Sequence, residues 1–112
     1  MKPSEYIAKI KEFVVVPEEH MEAYLTTLLA SEAGEVVGEY GKRLRGDYDM
    51  GSWTSAVTYV DKIIKELGDT AFALLLLSDF YGFTLEQVFE ANINKLEARK
   101  AKGTLMGSGS DR

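Results

Sequence analysis

Glu32-Ala33-Gly34-Glu35 and Glu66-Leu67-Gly68-Asp69 repeat one pattern, acid, apolar, glycine, acid, and the residues around them decide the fold. Side chains three apart lie on one helix face, so each segment aims two carboxylates in one direction. Its glycine lets a neighbouring backbone come close. The apolar stripe Leu25, Leu28, Leu29 runs into Glu32 and Val36, and Glu66 and Asp69 abut the run from Ala71 to Leu77. Acids that continue an apolar stripe face the interior of a helical pair or its rim, not open solvent.

Working outward, Gly and Pro divide the chain into helical segments and leave no alternating stretch that reads as a strand. Ser4 caps a short first helix carrying Tyr6, Ile7, Ile10 and Phe13, which ends near Val14-Val15-Val16-Pro17. Pro17, with Glu18 and Glu19 at the positive end of the dipole, opens a long second helix reaching about Leu44. Gly46-Asp47-Tyr48-Asp49-Met50-Gly51 reads as a loop. Ser52 or Thr54 caps a third helix to roughly Tyr81, stopped by Gly82. Thr84 and Gln87 form a capping box for a fourth helix ending near Lys102, with Gly103 as its stop. The expectation is an all-α, four-helix-type bundle with two long central helices in a single domain, residues 1–103. Residues 104–112, which include Gly-Ser-Gly-Ser, read as a flexible tail. From Thr70 to Leu77 the third helix is apolar nearly all round, more than three other helices can cover, so a homodimer or a dimer of dimers is expected.

Composition narrows the chemistry. The 112 residues are 46% hydrophobic, enough for one core. With 18 acidic against 13 basic side chains the net charge is −5, which argues against a nucleic-acid polymer as partner. No stretch approaches the roughly 20 apolar residues that span a bilayer, and the N-terminus has no apolar signal core. A cytoplasmic protein without a membrane partner is the expectation. There is no cysteine and one histidine, His20, so carboxylates are the abundant metal ligands. A cluster of inward carboxylates needs compensating cations, and hard oxygen donors suit Mg²⁺, with Mn²⁺ as a substitute. Each pair taken alone is also compatible with a solvated helix face.

Glu32-x-x-Glu35 followed by Glu66-x-x-Asp69 resembles the E-x-x-E…E-x-x-D signature of the all-α nucleotide pyrophosphohydrolases, in particular the MazG-like group. The likeness extends from the second helix through Lys95-Leu96-Glu97-Ala98-Arg99 to the glycine-rich tail. It implies that Glu32, Glu35, Glu66 and Asp69 bind Mg²⁺ and form the catalytic site. The implied reaction is hydrolysis of a nucleoside or deoxynucleoside triphosphate to the monophosphate and pyrophosphate. The general base stays open among the four carboxylates and Glu39, one turn beyond Glu35.

Asn92, Lys95 and Arg99 share one face of the fourth helix and form a basic-polar strip suited to phosphate, with dipole complementation as the alternative role. Lys62, one turn before Glu66, is a further phosphate candidate or a solvated lysine. Met21, Tyr24, Leu25 and Leu28 could line a base pocket or serve as ordinary core. Trp53 suits closure over a ligand or a partner subunit, and His20 sits in a first turn where a surface role is common. Two rival classes remain. A non-catalytic helical interaction module would use the apolar third helix. A di-iron bundle would need E-x-x-H pairs, which are absent.

Overall fold

The computed structural model describes residues 1–107, whose regular structure is all helical, with no strand among the described residues. Helix α1 spans Pro3–Ile10 and continues as a 3₁₀ turn over Lys11–Phe13; a second 3₁₀ turn, Glu18–His20, leads into α2, Met21–Leu44. Helix α3 spans Trp53–Phe80 and α4 spans Leu85–Lys102. The expected all-α class and the two long helices are present. Residues 104–107 continue beyond α4 without regular structure, and the remainder of the expected tail, 108–112, lies outside the described residues.

The helix ends follow local chemistry. Thr84 and Gln87 close their capping box: Gln87 N–H donates to Thr84 Oγ1 at 3.2 Å and Thr84 N–H to Gln87 Oε1 at 2.8 Å. Gly82 and Gly103 end α3 and α4 at φ 77° and 73°, where a Cβ is strained. At the N-terminus α1 begins at Pro3, and the Glu5 carboxylate accepts from Lys2 N–H at 3.3 Å, so Ser4 lies inside the helix instead of capping it. Pro17 precedes a 3₁₀ turn, and α2 proper starts four residues later than its sequence signal.

α2 and α3 form an antiparallel pair that carries most of the packing, and α1 lies along α3. Their register can be followed from one end to the other. Glu32 meets Glu66 and Asp69, Glu39 feels the charge of Lys62, and the Arg43 guanidinium sits 5.3 Å from the Tyr59 ring centroid. The core is small: Ile10, Leu25 and Leu76 are buried together, with Tyr6, Val14, Met21, Tyr24, Phe72, Leu75 and Leu77 packed round them. α4 leaves α3 at a bend of 99° and packs against it only lightly. No single described helix is long and apolar enough to cross a membrane.

Candidate metal and phosphate site

Glu32 on α2 and Glu66 and Asp69 on α3 bring one carboxylate oxygen each to within 4.8 Å of one another. Glu32 and Glu66 are half-buried and Asp69 is exposed, so the cluster sits at the rim of the α2/α3 seam. Burial, and then the charges of Asp69, Glu66 and Glu35, hold the Glu32 carboxyl above its ordinary range. Glu35, expected as a fourth ligand, is exposed and outside that close group. Its charge still reaches Glu32. The charges that raise the Glu32 pKa are thus all carboxylates. Oxygen-only donors and an open side towards solvent fit Mg²⁺, which keeps waters and takes phosphate oxygens as further ligands.

One turn of α1 closes the site from the other side. The Tyr6 hydroxyl donates to the Gly68 carbonyl at 3.4 Å, and burial, with the nearby Asp69 charge second, raises its pKa. No Cβ contact would arise at Gly34 or Gly68 within 4 Å, so close helix approach is not what these glycines serve in this chain.

Glu39, 5% exposed, occupies the next layers of the seam towards the α2–α3 loop. It accepts from Tyr48 Oη at 2.6 Å and from Lys42 Nζ at 2.9 Å. The Tyr48 hydrogen bond first, then Lys42, and more distantly the Lys62 charge, hold its carboxyl below the ordinary range. Both oxygens being engaged, Glu39 is a structural anchor for the loop here, not a base aimed at water. Sequence reasoning missed Lys42 and Tyr48. The i,i+3 spacing of Glu39 and Lys42 was a readable signal, whereas the reach of Tyr48 back from the loop was not.

The other expected site residues are distributed as follows. Lys62 is exposed, one turn from Glu66 on the seam side of α3. Asn92 and Lys95 line an open groove of about 590 Å³ with Phe83, Gln87, Val88 and Ala91, all on α4 or the turn before it. Arg99 is 7% exposed. None of the carboxylates lines the groove that holds Asn92 and Lys95. Leu25, 1% exposed, and Met21 beside it belong to the core. Trp53 is 83% exposed at the start of α3, and His20 is exposed.

The chain is thus an all-helical protein with a histidine-free carboxylate cluster, of a kind that could hold a metal ion, between two long antiparallel helices. Residues 20–104 match the family model of the MazG nucleotide pyrophosphohydrolase domain, and the chain belongs to that family. It is 37% identical over 90 residues to the Gene 37 protein of Mycobacterium phage L5, covering 80% of this chain and 75% of that one. No solved structure matches.

Proposed function

We propose that the chain is an Mg²⁺-dependent nucleoside or deoxynucleoside triphosphate pyrophosphohydrolase, (d)NTP + H₂O to (d)NMP + PPi, acting as a homo-oligomer. The observation that carries this reading is the convergence of Glu32, Glu66 and Asp69 within 4.8 Å, in a chain of the MazG family. These three residues would hold the ion, with Glu35 adjacent as an outer or second-ion ligand, and Mn²⁺ would substitute. Held by Glu32, Glu66 and Asp69, such an ion would supply charge neutralisation for phosphate oxygens and activation of a water molecule. The chain's own part is to fix the carboxylates on two rigid helices, to close the Asp69 side with Tyr6, and to supply cations for phosphate. Lys62 stands nearest in the sequence to the acids for that task, and Asn92, Lys95 and Arg99 are further candidates. Net charge −5 favours free nucleotides over a polynucleotide.

The test is pyrophosphate release from a panel of canonical and modified NTPs and dNTPs, with Mg²⁺ and with EDTA. Release is expected with Mg²⁺ only. Asp69→Ala and Glu66→Ala are expected to remove it, and Glu35→Ala to lower it roughly 10- to 100-fold, the scale of losing an outer partner of a metal site. Retention of full turnover by the Asp69 and Glu66 variants would refute the assignment.

A non-catalytic interaction module is the second reading, favoured by the exposed apolar face of α3. It would show no release from any nucleotide and no stabilisation by Mg²⁺, whereas a binding site raises stability as RT ln(1 + [L]/Kd).

A further inference from the structure

Gly68 stands in the middle of α3, between Glu66 and Asp69. A glycine inside a helix destabilises it relative to alanine, and is kept where a backbone or a ligand must come close. Outside its own helix backbone and its chain neighbours, no atom lies within 4 Å of the point that a Cβ at Gly68 would take, so no backbone uses that room. The open space belongs to a cavity of about 450 Å³, lined by Tyr6, Gly68, Ala71, Leu74, Leu75 and Phe89 among others. Small-molecule sites commonly have volumes of about 300–1,000 Å³.

Two walls of this cavity adjoin the carboxylate cluster. Gly68 belongs to the turn of α3 that carries Glu66 and Asp69. The Tyr6 hydroxyl donates to the Gly68 carbonyl at 3.4 Å and feels the Asp69 charge. Tyr6 lies on α1, outside residues 20–104 of the matched domain. Among the lining side chains only Tyr6 and Ser78 carry a hydroxyl, and the Ser78 hydroxyl donates to the Leu74 carbonyl at 3.0 Å. The remainder of the lining is apolar, and the rings of Tyr6 and Phe89 supply flat faces. Such a space, next to a cluster of metal-binding type, suits a flat group tethered to phosphates, and a nucleobase is that group. Met21 and Leu25, expected to line a base pocket, are taken up by the core.

We propose that the α1/α3/α4 cavity receives the base of the nucleotide substrate, and that Gly68 lacks a side chain so that the nucleoside can lie against α3 while its phosphates reach Glu32, Glu66 and Asp69. This inference rests on the pyrophosphohydrolase reading above and adds where the base goes and what selects it. With both hydroxyls of the lining engaged, stacking and shape hold the base, and its hydrogen-bonding edge is hardly read. The substrate class follows. The site takes nucleotides of any common base, with purines ahead through their larger face, because an apolar pocket separates similar ligands by no more than about a hundredfold.

Calorimetry on the full chain in Mg²⁺ tests this with three probes. Two are ATP and UTP analogues carrying an imido bridge between the α and β phosphorus atoms, which resists cleavage there. The third, inorganic triphosphate, has no base. The ATP analogue is expected to bind about tenfold to a hundredfold more tightly than triphosphate, the scale of stacking one base. The UTP analogue should follow within about tenfold. Gly68→Leu, which favours the helix and fills the space, should bring the ATP analogue down to the affinity of triphosphate. Ala71→Leu fills the cavity from one turn further along and should act alike, so a folding failure of one variant leaves the other as the test. Equal affinity of the parent chain for the ATP analogue and triphosphate would overturn the proposal. So would a folded, filled variant that keeps the advantage of the base or weakens both probes alike; a changed mass in solution would then assign the cavity to a second copy. Failure of all three probes to bind in Mg²⁺ would overturn the pyrophosphohydrolase reading itself, and this proposal with it.

Discussion

At Glu32 burial and the neighbouring carboxylates act in the same direction, raising its pKa, so without a cation the ionised form costs folding stability. That cost is present above the folded-state pKa and is relieved as pH falls through it. Glu66→Gln is therefore expected to raise the melting temperature in EDTA while abolishing the rise that Mg²⁺ gives the parent chain. Thermal scans with and without Mg²⁺ check both signs. Glu39 behaves oppositely. Its pKa is held low by Tyr48 and Lys42, so its contribution is fully present above the ordinary carboxylate range and lost as pH falls through the folded value. The Tyr48 hydroxyl is raised by the same hydrogen bond, so its share is lost as pH rises through its folded pKa. Tyr48→Phe should flatten both the acid and the alkaline limb of the stability profile, read by denaturant midpoints at stepped pH. Which acids converge was only partly legible. The spacing put Glu32 with Glu35 and Glu66 with Asp69 on common faces, but the interhelical register chose Glu32, Glu66 and Asp69 and left Glu35 outside.

Among the elements, α4 was the most legible, because its start and stop are written in local chemistry. Thr84→Ala removes the side-chain acceptor for Gln87 N–H and is expected to cost about 1 kcal/mol, while Thr84→Ser costs little. Gly103→Ala, at a positive φ, should cost about 1 kcal/mol. Denaturant melts at fixed protein concentration measure both. α2 was less legible at its start: Pro17 and the two glutamates that follow mark a helix N-terminus, yet the chain spends them on a 3₁₀ turn before Met21. The direction of α4 was not legible at all. α4 leaves α3 at a 99° bend, and Asn92 and Lys95 line a groove made of α4 and the turn before it that includes none of the carboxylates, while Arg99 is buried apart from that groove.

For the whole molecule, the small shared core means that a single deletion within it is felt everywhere. Leu25→Ala, at the most covered side chain, is expected to cost about 3 kcal/mol and lower the midpoint of the whole transition.

The sequence by itself determined the all-helical class, the helix stops at Gly82 and Gly103, the Thr84 capping box and the placement of Glu32 and Glu66, one acid of each pair, at the rim of the α2/α3 seam. Each of these depends on residues within a turn or two of one another, where backbone geometry and side-chain spacing leave little choice. Only the tertiary structure decided which carboxylates meet, that Glu39 is tied to Tyr48, and that α4 turns aside and leaves one flank of α3 bare. Those outcomes come from the packing of α2 against α3 and from one turn between α3 and α4. A shift of a single helical turn there would change every cross-helix partner without changing any local signal in the chain.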